Sequence, residues 1–218
     1  MLCIIPARGG SKRIPGKNIK PFCGRPIIEY PIATAINAGY DVLVSTDDDE
    51  IAEKATAVGA EVTFRPARLS GDWVELEDVL YDLLRDHEDG VACMMLPTSV
   101  FIKPEHLEQA ETYLYEYDLV YSIVPFEYPI QRALEIVDGF VRMTVPDYRN
   151  SQDIPVMYHD AGQFYVFNVE AFCAAWEIER RILDLNAYGV IYNRCEVQDI
   201  DTMEDWKIAE MKYQARGM

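Results

Sequence analysis

The residues best suited to chemistry lie close to the start of the chain. Ile5 to Asn18 read IPARGGSKRIPGKN, which gathers Arg8, Lys12, Arg13 and Lys17 around two adjacent glycines, Gly9 and Gly10, and Ser11. The short apolar run Leu2–Ile5 before it suits a buried strand. Glycines directly after a strand let backbone N–H groups approach an anion, and clustered cations neutralise it. Pro15, followed by Gly16 and Lys17, holds the segment as a loop rather than the opening of a long helix. The chemistry this predicts is polyphosphate binding. It is not the P-loop of ATPases: five residues rather than four separate Gly10 from Gly16, and Asn18 stands where Ser or Thr is needed. Nor does the stretch match G-x-G-x-x-G.

A basic glycine-containing turn can also be plain solvated surface, so its charge background matters. The chain carries a formal net charge of −17, yet its first 25 residues hold six Lys and Arg and no Asp or Glu. A positive patch on a negative protein focuses an anionic ligand. The same balance argues against nucleic acid as a partner, which would require an extended basic face.

Two acidic stretches could hold a metal ion beside such a loop. Asp199-Ile200-Asp201-Thr202 follows a strand-like segment, and in extended chain Asp199 and Asp201 point to the same side while Ile200 turns to the core. Two carboxylates on one side suit Mg²⁺, which takes one or two carboxylates plus phosphate oxygens and water. Helix capping is the competing account, with Asp201 or Thr202 as N-cap and Glu204 or Asp205 completing a box. In Ser45-Thr46-Asp47-Asp48-Asp49, capping by Asp48 or Asp49 is the stronger reading, and Asp47 is a second-rank site residue.

These residues need elements to position them. Strand-like runs at Asp41–Ser45, Glu61–Phe64, Val91–Leu96 and Leu119–Val124 alternate with helical spacings over residues 26–39, Glu50–Val58, Leu76–Leu84 and Glu105–Tyr117. This βαβα rhythm predicts an α/β fold: a mostly parallel sheet covered on both faces, with ligands outside the carboxyl ends of its strands. The rhythm breaks at Pro125. Residues 128–160 are rich in Tyr and Pro, and Asp138-Gly139 joins two strand candidates, Ala133–Val137 and Phe140–Thr144, into a hairpin that projects as an arm. A strand at Phe164–Phe167, a helix at Val169–Trp176, a strand at Val190–Tyr192 and a helix at Met203–Lys212 complete one domain spanning 1–218.

The 8–18 loop resembles the signature loop of the cytidylyltransferases that activate nonulosonic acids, the CMP-sialic acid synthetase family. The resemblance implies a Rossmann-like sheet of the nucleotide-diphospho-sugar transferase type. It also implies Mg²⁺-dependent transfer of CMP from CTP to the anomeric 2-hydroxyl of a nine-carbon sugar acid, with release of pyrophosphate. Carried onto this chain, it places nucleotide contacts at Arg8, Gly9, Gly10, Ser11, Lys17, Asn18 and Arg65, the last two reading the cytosine edge. Lys17 and Arg8 then act on the transferring phosphate. The D-I-D-T stretch matches the family's metal site, assigning Asp199 and Asp201 to the ion. Residues 149–165, RNSQDIPVMYHDAGQFY, resemble the pseudaminic acid branch. Gln152, His159, Gln163 and Tyr165 are its sugar-binding candidates, although Asn150 interrupts the branch's R-S-Q-D after Arg149. His159 bonded to a core carbonyl, a bulge at Gly162 and aromatic packing remain the structural account of that stretch. Sialic acid enzymes have Gln before P-T-S and an arginine after it; here Leu96 and Phe101-Ile102 remove those polar groups, which fits a deoxygenated sugar. The family's arm reaches across a dimer, so a homodimer is implied. Legionaminate or N-acetylneuraminate as acceptor, a sugar-1-phosphate nucleotidyltransferase and a non-catalytic nucleotide-binding protein are the alternatives.

Size and composition agree with this frame. With 218 residues, 50% of them hydrophobic, the chain buries one substantial core. Five cysteines without a C-x-x-C pair read as reduced thiols rather than a disulfide framework or zinc site. No apolar run approaches a membrane span, and the start lacks a signal peptide's pattern, so a cytoplasmic enzyme with no membrane partner is expected.

Overall fold

The computed structural model of the chain describes residues 1–87, 90–144, 150–178, 182 and 185–217. In chain order the elements are β1 (Leu2–Pro6), β2 (Pro21–Phe22), β3 (Arg25–Pro26), α1 (Glu29–Asn37), β4 (Asp41–Thr46), α2 (Asp49–Ala57), β5 (Glu61–Phe64) and α3 (Leu76–Leu84). They continue with β6 (Val91–Met95), α4 (Pro104–Tyr113), β7 (Leu119–Pro125), β8 (Leu134–Val137), β9 (Phe140–Met143), β10 (Tyr158–Asn168), α5 (Val169–Ile178), β11 (Ala187–Ile191) and α6 (Met203–Ala215).

Seven strands form one sheet in the order β11-β7-β10-β6-β1-β4-β5. All neighbours run parallel except the two pairs made by β10. β1 and β6 are nearly unbroken apolar runs because helices cover both faces. On one face Ile5, Val44 and Val124 pack with Ile32, Ile51 and Leu107 from α1, α2 and α4. On the other, Ile4, Met94 and Phe167 pack with Leu80 and Leu84 of α3 and Phe172 of α5. A third cluster joins the two ends of the chain: Ile14, Phe22, Ile27 and Tyr30 meet Phe101, Ile200 and Trp206. Phe22 is its hub, making edge-on contacts with Tyr30, Trp206 and Tyr213 at centroid distances of 5.5, 5.6 and 5.5 Å.

The mostly parallel sheet is as expected, but its centre is not. The strand expected over Phe164–Phe167 is eleven residues long and lies antiparallel between β6 and β7. Tyr158, His159 and Asp160 pair with Pro125, Val124 and Ile123, so the end of the expected 128–160 arm belongs to the sheet. Sequence pattern missed this because a polar, bulged strand lacks the apolar run that marks a buried one. The β8–β9 hairpin forms a separate two-stranded sheet, and its turn residues Asp138 and Gly139 have φ of 52° and 82°, as a two-residue primed turn requires. The helix expected to reach Tyr117 stops at Tyr113, and Tyr117 turns back to meet the Tyr188 ring. All five cysteines are free thiols. Among the described residues no helix is long and apolar enough to cross a membrane.

Phe22→Ala removes the hub of the third cluster. It should lower unfolding free energy by about 3–5 kcal/mol, read as a reduced midpoint in urea denaturation at unchanged m.

Candidate active site

The basic loop leaves the carboxyl end of β1 and is held at several points. Ile14 is 1% exposed, its side chain driven into the third cluster. Asn18 is buried, and its Nδ2 donates to the Arg8 carbonyl at 2.9 Å, tying the end of the loop to its start. Gly16 has a φ of 63°, a left-handed conformation that favours glycine. Gly9 is required by close approach: a Cβ there would sit 2.5 Å from Oδ2 of Asp48, the residue that caps α2. The Gly9 amide is already engaged, donating to Asp47 Oδ1 at 2.8 Å.

The loop forms one side of a cavity of about 310 Å³, within the range of small-molecule sites. Arg8, Ser11, Lys12, Arg13, Lys17 and Asn18 line it, together with Arg65 after β5, Leu96 after β6, and Asp199 and Asp201. The cavity therefore lies outside the carboxyl ends of β1, β5 and β6, where an open α/β sheet binds ligands.

Lys17 Nζ donates to the Ile200 carbonyl at 2.8 Å and lies 3.7 Å from Asp201 Oδ1. Arg13 Nη2 donates to the same Asp201 oxygen at 2.8 Å. Burial pushes the Lys17 amine down from its usual pKa, opposed by the charges of Asp201 and Asp199. Burial raises the Asp199 carboxyl, and repulsion from Asp201 raises it further. Ile200 is fully buried, which leaves its two acidic neighbours facing the cavity.

Capping does not consume that acidic pair. Thr202 caps α6: its hydroxyl oxygen accepts from the Asp205 amide at 3.2 Å, and the Asp205 carboxylate accepts from the Thr202 amide at 2.8 Å. Two hard carboxylates, one raised by burial and by its like-charged neighbour, beside a phosphate-suited cavity are a donor set that fits Mg²⁺. Among the described residues no group of three or more His, Cys, Asp or Glu could hold a metal, so substrate oxygens and water would complete the coordination.

The remaining expected residues divide. Arg65 lines the cavity, with Nε and Nη2 donating to the Ser45 carbonyl at 3.2 and 2.9 Å. Gly9 and Gly10 shape the loop without lining the cavity, and Gly10 is exposed. His159 lines a second, open cleft of about 640 Å³ that shares Asp199 with the first. Tyr165 is nearly buried, stacks parallel to Tyr121 at 5.9 Å and donates its hydroxyl to the Asp160 carboxylate. Gln163 is fully buried; its Nε2 donates to the carbonyls of Ala161, Gly162 and Gln198 at 2.9, 3.3 and 3.3 Å. It braces the segment leading to Asp199 rather than lining either cleft. Gln152 sits exposed on the 3-10 turn Ser151–Asp153 and also lines neither. Arg149 lies outside the described residues. Leu96 is on the cavity wall as expected, whereas Phe101 and Ile102 are buried in the core, so they do not shape that wall.

Sequence reasoning passed over Asp72 and Asp160. Asp72 has no local motif; only the folded chain brings it to Arg8 and Lys12. Asp160 stands inside H-D-A-G-Q-F-Y, but its role depends on the bulge at Gly162 (φ 62°), which turns the Gly162 amide onto Asp160 Oδ1 at 2.8 Å.

A cation-lined cavity at the carboxyl edge of a mostly parallel sheet, with paired carboxylates beside it, defines the class as an α/β nucleotidyltransferase scaffold. A structure of CMP:2-keto-3-deoxy-manno-octonic acid synthetase complexed with CTP shares that fold, with a TM-score of 0.75 at 16% identity over 100% of this chain and 99% of its own. The family model Cytidylyltransferase matches residues 2–176. Pseudaminic acid cytidylyltransferase of Campylobacter jejuni subsp. jejuni serotype O:2 is 36% identical, covering 97% of this chain and 95% of that protein. N-acylneuraminate cytidylyltransferase of Streptococcus agalactiae serotype V is 31% identical, covering 94% of this chain and 51% of that protein. The chain belongs to the cytidylyltransferase family.

Lys17→Ala removes the partly buried ammonium that joins the loop to Ile200 and Asp201. Cytidylyl transfer should fall by about 10²-fold or more in kcat/KM, with an unchanged circular dichroism spectrum, and near-normal turnover would remove Lys17 from the catalytic set.

Proposed function

We propose that this chain transfers CMP from CTP to the anomeric 2-hydroxyl of a nonulosonic acid, with pseudaminic acid as acceptor. The observation that carries the reading is the meeting of the cationic loop with Asp199 and Asp201 in one cavity. The near full-length similarity to a relative named for pseudaminic acid supports the acceptor, as does the apolar Leu96 on the cavity wall.

In this reading the triphosphate lies along the loop, where Arg8, Lys12 and Lys17 neutralise its charge. The sugar hydroxyl oxygen attacks the α-phosphorus in line. The new P–O bond forms as the bond to the bridging oxygen of the β-phosphate breaks, pyrophosphate leaves, and the hydroxyl proton passes to solvent. Lys17 and Arg8 stabilise charge that develops on the phosphorus oxygens and leaving group, inside a cavity where such charges are poorly screened. Mg²⁺ held by Asp199 and Asp201 would neutralise phosphate charge and lower the pKa of the attacking hydroxyl. Arg65 and Asn18, both on the cavity lining, would meet the base. Asp199, shared by both clefts, stands where donor and acceptor sites would adjoin.

The arm supports a homodimer. Leu134, Ile136, Phe140 and Val141 of the hairpin are 64, 74, 72 and 63% exposed, an apolar patch of the kind that marks an interaction surface. Light scattering should give twice the 25.0 kDa chain mass, and Ile136→Asp with Phe140→Asp should shift the protein to monomer.

The decisive assay follows pyrophosphate release with CTP and Mg²⁺ on pseudaminic, legionaminic and N-acetylneuraminic acids, with the other nucleoside triphosphates as controls. Release with CTP and pseudaminic acid alone is expected. Preference for N-acetylneuraminate would move the acceptor to that of the streptococcal relative, and no release with any acid would withdraw the proposal.

A further inference from the structure

Asp72 sits at the cavity without belonging to the loop that defines it. It lies between the 3-10 turn Ala67–Leu69 and α3, in a segment of which Gly71, Asp72, Val74 and Glu75 line the cavity. Its carboxylate is shared by two cations of the basic loop: Oδ1 is 3.2 Å from Arg8 Nη1, and Oδ2 pairs with Lys12 Nζ. Arg8 Nη1 also lies 3.3 Å from the Gly71 carbonyl, to which it donates. Arg13 and Lys17, in contrast, pair with Asp201. The loop's cations thus divide between two carboxylates from opposite parts of the chain.

Each set pairs one more sheltered cation, Arg8 or Lys17, with one that stands well out in solvent, Lys12 or Arg13, and the Asp72 carboxylate is about as exposed as Asp201. A hydrogen bond from Lys12 pulls the Asp72 carboxyl below its ordinary pKa, which favours its charged form. Exposed ion pairs of this kind contribute little, so they exchange readily for a better anion. A polyphosphate brings several negative charges to the same cations, and a carboxylate held among them would repel it. Beside Asp72, Trp73 is 97% exposed, leaving nearly the whole of a large ring in water.

We propose that Asp72 is a displaceable counter-ion: it holds Arg8 and Lys12 in place while the cavity is empty and yields them to the phosphate groups of an entering nucleotide, releasing the segment from Gly71 to Glu75. The inference rests on reading the cavity as a polyphosphate site. In this arrangement Asp72 is a positioning residue that lowers apparent affinity while keeping two like charges paired in the empty protein. Release of the segment moves the Trp73 ring, which gives the exchange an optical signal.

The test uses inorganic tripolyphosphate, which carries the phosphate charge without the base. Calorimetric titration of the wild-type protein, Asp72→Asn and Asp72→Ser at several salt concentrations should show both variants binding about threefold to tenfold more tightly, with a steeper loss of affinity as salt rises. Tripolyphosphate should shift Trp73 emission in the wild type, measured as the difference from a Trp73→Phe variant. Equal or weaker binding by both variants overturns the proposal, because Asp72 would then support the phosphate site rather than compete for it. Absence of tripolyphosphate binding in all three proteins overturns it as well. Tighter binding in the variants together with no turnover of CTP on any sugar acid would defeat only the reading of the reaction.

Discussion

The site depends on one partly buried amine. Lys17 reaches the carbonyl of Ile200 at 2.8 Å, joining residues 183 positions apart in the chain. The contact closes the basic loop against the D-I-D segment, so the loop's cations and the two carboxylates share one cavity. Without that ammonium, Asp199 and Asp201 would face each other in a partly desolvated setting, where like charges repel strongly. Apolar packing supports the polar contact: Ile14 from the loop and Ile200 from the acidic segment enter the same cluster as Phe22 and Trp206. The loop's conformation is therefore set by hydrophobic burial, and its electrostatics act from a fixed frame.

Pairing of charges is the second constraint. A chain of net charge −17 concentrates cations at one edge of its sheet. Four of them in one loop would repel in an empty cavity, and the fold answers with carboxylates from distant segments, Asp72 on one side and Asp201 on the other. Cations outnumber carboxylates on the cavity lining only narrowly, with Arg8, Lys12, Arg13, Lys17 and Arg65 facing Asp72, Glu75, Asp199 and Asp201, and the cations are concentrated on the loop's side.

The second cleft is lined in part by β10, which runs antiparallel to both of its neighbours in the large sheet. Its bulge at Gly162 lets the chain pass close to Asp199: a Cβ on Gly162 would lie 3.6 Å from the Asp199 carboxyl carbon. Buried Gln163 ties the bulge to the Gln198 carbonyl, while Tyr165 and the Gly162 amide hold the Asp160 carboxylate. A polar stretch in the middle of a sheet is tolerated because most of its groups bond to backbone and to one another, although the buried Gln163 Oε1 has no hydrogen-bond partner. These bonds connect the geometry of the second cleft to the carboxylate that it shares with the first.

Local signals in the sequence determined much of this protein. Unbroken apolar runs marked β1, β4 and β6, helical spacing marked α3, Asp138-Gly139 marked the hairpin, and the gathering of cations around Gly9 and Gly10 marked the loop that lines the cavity. Period-two alternation was enough to place Asp199 and Asp201 on one side, because side-chain direction in extended chain is a local property. Tertiary structure alone decided the rest. It put β10 antiparallel in the sheet, buried Gln163, Phe101 and Ile102 away from the cavity, and brought Asp72 onto Arg8 and Lys12. Each of those outcomes depends on contacts between residues far apart in the chain, where a side chain's partner is chosen by the packing of whole elements and not by its neighbours in sequence.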